Sequence, residues 1–510
     1  MSGGWQRLDR RMLVPSLTAL SLPVLGMLFA LTLAGWQVTT GVGVTAIVMA
    51  SVLVAFLMVA VAHSVRYFTT RYQISDERVE LRSGLVSRTH RSIPRARVRS
   101  VDLTSGPLHR LLGLSVVKVG TGRQIKDADK DELEFHAVSQ RQAAVALRQE
   151  LLHRTENAGD VRVIATLDRR WLRYAPLTLS TVAVVYGVVG GVTERVVEAA
   201  PSLPWLFIQW VAGFLSVSIV LAVLIVLAGG AFLIGLVVSA VQYVEGWWGF
   251  RLEREHGDTL LVTRGLITTR SVTLEERRIR GVEIAEPLLV RWARGARTKV
   301  VATGVKSTRE SRNQDALLPP ATRAAAHQVA AAVLREPADP TRTPLITHPR
   351  VALRRRLVRA AAGWLVAVLI SLVLPVFSTT LPSWLPWIVA VLGTPVAVLF
   401  GIDAYRNLGH GLSGKYLVTR SGTAVRRTVA LRRSGVIGWR VRRSPFQRRA
   451  GLCTVIATTA AGKCAYRIRD VRLTDGLAFA EEAAPGILTD FLSSGGKSAD
   501  RRRSVANAGH

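Results

Sequence analysis

The sequence predicts α-helical membrane hairpins, about six spanning helices in all, alternating with three α+β modules of antiparallel strands and a closing helix. Three observations predict it. Long apolar runs come in pairs. A cassette of about 21 residues recurs after each pair, a period that suits a repeated domain rather than a solenoid turn. Basic residues concentrate between the pairs and leave the hairpin tips nearly bare.

The apolar runs come first. A spanning helix needs about 20 mostly apolar residues to cross a hydrocarbon core about 30 Å thick. Candidates run from Leu13 to Trp36, Gly43 to His63, Tyr174 to Val192, Ala360 to Phe377 and Leu385 to Ile402. The stretch from Trp205 to Tyr243 is too long for one upright span and is counted as one span, kinked at Gly229-Gly230 or partly interfacial. The first run has no cleavage pattern and reads as a retained helix. Trp36, Trp205, Trp384 and Trp387 near the hairpin tips, and Tyr243, Trp247 and Trp248 at the other end, form an aromatic-belt pattern.

Charge sets the orientation. Of 510 residues, 67 are Lys or Arg and 35 Asp or Glu, a formal +32. Arg66, Arg71, Arg251, Arg254 and Arg406 lie close to span ends, so the positive-inside rule places both termini and all three modules in the cytoplasm of an inner membrane. A surplus of this size suits anionic partners, membrane or nucleic acid. No recognition helix or aromatic RNA-binding stripe accompanies it, which speaks against nucleic acid.

The cassette gives the modules. Copy one runs Leu81, Gly84, Leu85, Ile93, Val98, Val101; copy two Val262, Gly265, Leu266, Leu274, Ile279, Val282; copy three Thr419, Gly422, Leu431, Val436, Trp439. Each reaches a proline and a large apolar residue, Pro107-Leu108, Pro287-Leu288 and Pro445-Phe446, then a basic stretch and a glycine. In copy one, short alternating segments at Tyr72–Ile74, Val79–Leu81, Leu85–His90, Leu114–Gly120 and Leu133–Val138 read as antiparallel strands. Helical patterns close the copies at Gln140–Leu152, Thr322–Leu334 and Gly476–Leu492. The resulting divisions are hairpins at 1–65, 168–246 and 350–404 and modules at 66–155, 247–336 and 405–492. The tail, 493–510, is too polar to offset its ordering entropy and is expected to be disordered.

These elements resemble the bacterial PH-like, membrane-flanked domain proteins, the YdbT-like group. The likeness rests on Tyr72-x-Ile74, Gly84-Leu85, Ile93-Pro94-x-x-x-Val98-x-x-Val101 and Pro107-Leu108-x-Arg110-Leu111-Leu112-Gly113-Leu114. The lead-in Asp9-Arg10-Arg11-Met12-Leu13 recurs as Asp168-Arg169-Arg170-Trp171-Leu172. Copy two departs with Leu274-Glu275 for the Ile-Pro step, and copy three with Gly422-Thr423. The resemblance implies PH-like modules, each a bent antiparallel sheet with a C-terminal helix, and loosely a part in envelope maintenance or resistance to membrane-active peptides. It names no ligand, since the fold serves many.

Candidate contacts for an anionic surface follow from charge placement. Arg95, Arg97 and Arg99 alternate along a strand-like run, either as a cationic patch or as an ordinary solvated face. Arg169, Arg170 and Arg173, and Arg354, Arg355 and Arg356, stand beside spans, where each cation near an anionic leaflet contributes about 1 kcal/mol. Catalytic, cofactor and metal motifs are absent: Ala460-Ala461-Gly462-Lys463-Cys464 lacks the upstream glycine and the Ser/Thr of a P-loop, and Cys453 and Cys464 lack zinc spacing and are expected to be reduced. The chain thus reads as a non-catalytic interaction or scaffolding platform, its expected partners being anionic lipid and a membrane protein with a related module. The alternative is a transporter or channel component regulated by its modules, although the spans carry no ion-path residues. A reporter fused after Arg148 or Arg335 is expected to give a cytoplasmic signal; a periplasmic signal overturns the orientation.

Overall fold

A computed structural model describes residues 5–7, 11, 42–75, 77–83, 89–94, 100–106, 110–120, 132–139, 161–178, 217–255, 259–303, 315–377 and 385–487. Two compact units partition the chain, Met1–Leu167 with Val244–Glu276, and Asp168–Tyr243 with Arg277–His510. The division falls within the second repeat, which contributes to both units.

The first unit contains helix α1 (Val42–Thr69) and strands β1 (Gln6–Arg7), β2 (Arg71–Ile74), β3 (Arg78–Ser83), β4 (Thr89–Pro94), β5 (Ser100–Ser105), β6 (Leu114–Gly120), β7 (Glu132–Ser139), β8 (Arg162–Thr166), β9 (Arg251–Glu255), β10 (Thr259–Arg264) and β11 (Thr269–Glu275). One sheet has the order β1-β2-β3-β4 and the other β7-β6-β5-β11-β10-β9-β8. The β2–β3 turn is closed by Ser75, whose N–H donates to Arg78 O at 2.9 Å. The larger sheet crosses repeats: β5 of copy one pairs with β11 of copy two, Ser105 opposite Thr269 and Thr104 opposite Arg270. Arg110, from the motif after Pro107, adds a second link by donating to Leu266 O at 2.9 Å.

The glycine at the head of each cassette has a structural reason in copies two and three. Gly265 and Gly422 have φ of 112° and 120°, and a Cβ at either would lie 2.0 Å from a carbonyl oxygen, Thr268 O or Val425 O. Only glycine adopts that backbone at no steric cost.

The second unit takes most of helix α2 (Val217–Trp247) and repeats the crossing. Its elements are β12 (Ile279–Pro287), α3 (Leu288–Trp292), β13 (Gly295–Ala302), β14 (Ala321–Thr322), α4 (Arg323–Leu334), α5 (Arg350–Phe377), α6 (Leu385–Arg406), β15 (Gly409–Ser413), β16 (Tyr416–Ser421), β17 (Val425–Arg432), β18 (Gly438–Arg442), α7 (Pro445–Arg449), β19 (Leu452–Thr458), β20 (Ala465–Arg472) and α8 (Leu473–Ala483). The sheet β14-β13-β12-β17-β16-β15 joins copy two to copy three, and β18-β19-β20 forms a smaller one. Leu417, Val429 and Leu431 pack against Cys453, Val455 and Ile468, with Phe479, Ala480 and Ala483 of α8 closing the core. That is an α+β module of antiparallel sheet and terminal helix.

The helix ends follow capping chemistry. Thr322 caps α4 by accepting from Ala325 N, and Arg335 ends it in the left-handed region at φ 55°. The third closing helix differs from its expected span of Gly476–Leu492: it runs Leu473–Ala483. Pro485 disfavours helix at the preceding residue and cannot donate, so the helix stops before it. The pattern Gln140–Leu152 and the tail lie outside the described residues. Both cysteines are free thiols, Cys453 buried and Cys464 exposed.

Two helices among the described residues are long and apolar enough to cross a membrane, Arg350–Val373 and Pro386–Arg406. Their apolar side chains face outward: Leu365, Val366, Leu369 and Ile370 on one, Val391, Leu392 and Leu399 on the other, are all at least half exposed. The helix holding the first begins at Arg350, ten residues before the expected start at Ala360, so its basic run is helical. Six spans are not reached among the described residues. Leu13–Trp36 lies outside them; Gly43–His63 falls within α1, and the tail of Trp205–Tyr243 within α2, whose described apolar segment Phe232–Trp247 is shorter than a span. Tyr174 ends a short 3-10 helix, and residues beyond 178 on that candidate span are not described.

The β12–β17 seam is close-packed. A Cβ at Gly281 would lie 2.0 Å from Ala430 O, which backbone cannot yield without losing the pairing. Gly281→Ala is expected to destabilise the chain by about 1–3 kcal/mol, as overpacked sites do. Gly411→Ala is the control, since its Cβ would meet Leu345 at an ordinary 3.4 Å. Melting of both variants in detergent checks this, and equal melting temperatures contradict it.

Candidate functional site

The expected anionic-surface residues take different roles. Arg95, Arg97 and Arg99 lie outside the described residues. Arg169, Arg170 and Arg173 lie on the 3-10 helix Arg169–Tyr174, capped by Asp168, whose carboxylate accepts from Arg170 N. Trp171 and Tyr174 of that turn are buried, and the three arginines are exposed. Arg173 also donates to the Tyr174 hydroxyl at 2.8 Å, and that hydroxyl donates to Ala293 O at 3.3 Å.

The second triplet divides. Arg354 is exposed. Arg355 and Arg356 turn inward and both bind the carboxylate of Asp470, which is fully buried at the end of β20; the Arg356–Asp470 distance is 2.5 Å. Gln447 of α7 donates to the same carboxylate at 2.9 Å and to Thr454 Oγ1 at 2.9 Å. Gln447 is itself fixed by a capping box with Ser444. Asp470 has φ 61°, a left-handed conformation that aspartate tolerates better than most residues. The buried carboxylate therefore roots the first turns of α5 in the third module.

Two histidines extend this joint. The His348 Nδ1–H donates to Asp470 O at 3.1 Å, because a carbonyl only accepts. His348 Nε2 is then unprotonated and accepts from His410 Nδ1–H at 3.0 Å. Tyr405 donates to His348 O at 2.8 Å, and Phe479 meets the His410 ring edge to face at 4.7 Å. Burial pushes the His348 pKa down, partly opposed by Asp470 and reinforced by the charge of Arg356. Burial and then the His348 neighbour lower His410 to about 4, with Asp475 opposing.

A third group of charges lines the β12–β17 seam. Glu286 is buried and takes Arg426 from copy three, Nε to Oε2 at 2.5 Å, and Arg323 from α4, Nε to Oε1 at 2.7 Å. Glu283, also buried, receives Lys463 at 2.7 Å and lies 3.7 Å from Arg427. Lys463, from the segment that resembles the end of a P-loop, thus serves a structural ion pair. Asp470, His348, His410, Glu283 and Glu286 were not singled out by sequence reasoning. The only available signal was a minority of acids set opposite basic runs.

Antiparallel sheets crossing from repeat to repeat, one of them rooted on outward-facing apolar helices, define a membrane-associated protein of sheet modules. Residues 20–155 and 357–484 match the Bacterial PH domain family, about half of the chain, and the chain belongs to that family. It is similar to the UPF0699 transmembrane protein YdbS of Bacillus subtilis (strain 168), 28% identical over 86 residues that make up 17% of this chain and 52% of that protein. The chain thus spans about half the length of that curated relative. No solved structure matches.

Two predictions concern the joint. Asp470→Asn keeps a residue that tolerates the left-handed backbone but removes the charge opposite two arginines; a loss of about 3 kcal/mol is expected, as when one partner of a buried ion pair is removed. A melting temperature unchanged within error contradicts it. The histidines give a pH dependence. Their folded pKa values lie below the unfolded value of about 6.5, so the unfolded chain binds more protons between them, and stability falls as pH drops from about 6.5 toward 4. His410 contributes at most roughly 3 kcal/mol to that loss. His410→Gln should flatten the melting temperature between pH 7 and 4.5 relative to the parent; parallel curves exclude the dyad.

Proposed function

We propose that the chain is a non-catalytic, multi-pass platform at the inner membrane, with its PH-like modules on the cytoplasmic side and with protein and anionic lipid as ligands. The observation that carries this reading is the sharing of sheets between successive repeats. Strand edges that a separate domain would leave open are used to join the repeats, β5 to β11 and β12 to β17. Each seam thereby makes one continuous sheet from two repeats, which suits recognition of large partners. Arg169, Arg170, Arg173 and Arg354 are exposed and lie next to apolar segments in the chain, which supports contact with anionic headgroups. A membrane protein with a related module is the expected partner, and the family resemblance suggests a part in envelope maintenance or in resistance to membrane-active peptides.

Reconstitution tests the reading. The full chain in liposomes is expected to leave ion and solute permeability unchanged. In-membrane cross-linking in native cells is expected to trap a defined protein at the modules. Substrate flux through the reconstituted chain overturns the platform in favour of a transporter.

A further inference from the structure

The two seams between repeats share one register. Opposite Ser105 and Thr104 of β5 stand Thr269 and Arg270 of β11; opposite Glu286 and Ala285 of β12 stand Arg426 and Arg427 of β17. Aligning the repeats on Val101, Val282 and Trp439 brings Ser105 onto Glu286 and Thr269 onto Arg426, so the same strand meets the same strand at the same positions twice. In both, the strand that carries the end of the cassette is flanked on one side by its own module, β6 or β13, and on the other by the third strand of the next repeat.

The corresponding strand of copy three is β18. It pairs with β19 on one side, and among the described residues nothing pairs with the other. Arg440, Val441 and Arg442 are exposed along it, followed by exposed Arg443. None of these arginines has an acidic partner among the described residues. Ile437 before the strand and Phe446 after it are 68% and 73% exposed. Phe446 follows the cassette proline as Leu288 does, and Leu288 N–H extends the second seam by donating to Ala424 O at 2.8 Å. An open edge flanked by exposed apolar side chains is a template for strand addition.

Charge selects what is added. On β12 the residues that hold the next repeat are acidic, Glu283 and Glu286, and they meet Arg427 and Arg426. The aligned positions at β18 are Arg440 and Arg443, a reversal at both sites. In a second copy of this chain, Arg88 and Thr89 align in sequence with Arg426 and Arg427. Arginine would then face arginine at one of the two positions and no acid would stand at either, which disfavours self-association. We infer that the outer edge of β18, Gly438–Arg442, docks an antiparallel edge strand of a different protein that carries acidic residues where β17 carries Arg426 and Arg427. The inference rests on the platform reading and supplies the position and chemistry of its protein partner.

Peptides test it on the full chain in nanodiscs. One has the Val425–Arg432 sequence with Arg426→Glu and Arg427→Glu; the other has the native sequence. The acidic peptide is expected to bind at least tenfold more tightly, more weakly as salt rises, and to slow amide exchange at 438–442. The variant Arg440→Glu with Arg443→Glu alters only exposed side chains. It is expected to lose the acidic peptide and gain the native-sequence one. Equal binding of both peptides, no binding of either, or protection mapped elsewhere overturns the proposal. So does concentration-dependent self-association of the parent chain that the charge-reversed variant lacks, which would make a second copy the occupant. Failure here with a partner still trapped by cross-linking moves the docking site and leaves the platform standing; flux removes the platform whatever the peptides do.

Discussion

An unpaired strand edge is the constraint around which the chain is organised. Backbone N–H and C=O groups along an edge must find partners or water, and an open edge invites any strand that fits. A short antiparallel module has such edges at each end of its sheets. In each compact unit one of them is joined to the neighbouring repeat, β5 to β11 and β12 to β17. Position-specific features of the repeat follow from that junction. Gly281 gives β17 room to approach, and Gly265 and Gly422 make the turns that deliver the third strands to their seams.

Side-chain chemistry secures what the backbone begins. Two glutamates buried beside a strand pairing would be costly alone, since desolvating a carboxylate outweighs most single contacts. Glu286 meets two arginines and Glu283 a lysine and an arginine, several of these partners arriving from a different repeat. The penalty for separating the repeats is then greater than the backbone bonds alone would impose, because it would leave buried acids unpaired. Asp470 applies the same logic where α5 enters the third module. There two arginines and a glutamine converge on one carboxylate, so the helix cannot turn about its axis without stranding a charge.

What could be read from the sequence follows from what kind of order each feature has. Strands β2, β3 and β6 and helix α4 were legible because local alternation, turn residues and a Thr cap fix them within a few residues. The last pair of apolar helices was legible from composition. The sharing of sheets between repeats was not, because pairing partners such as Ser105 and Thr269 lie far apart in the chain and their pairing leaves no local periodicity. The same holds for the joint. Arg354, Arg355 and Arg356 form one basic run in the sequence, and only the position of Asp470 on β20 turns two of them inward while the third stays exposed. The overlong third closing helix shows the converse limit: its apolar pattern continues past Ala483, but Pro485 ends it.

The distribution of acids explains more of the surface than the net charge does. Glu283, Glu286, Asp339 and Asp470 are all buried, whereas Arg264 is the one buried member among the far more numerous arginines and lysines whose side chains are described. A chain that begins with about half as many acids as bases thus withdraws several of its acids into ion pairs at its joints. Each pair neutralises cations that serve the fold. The cations left at the surface stand with fewer acids near them, so their local potential is stronger within the screening distance of about 8 Å at physiological ionic strength. Arg169, Arg170 and Arg354 beside the apolar segments and Arg440, Arg442 and Arg443 along β18 belong to this remainder. The two groups differ in place and share one property: an excess of positive charge, beside the apolar helices in one case and along an open strand edge in the other.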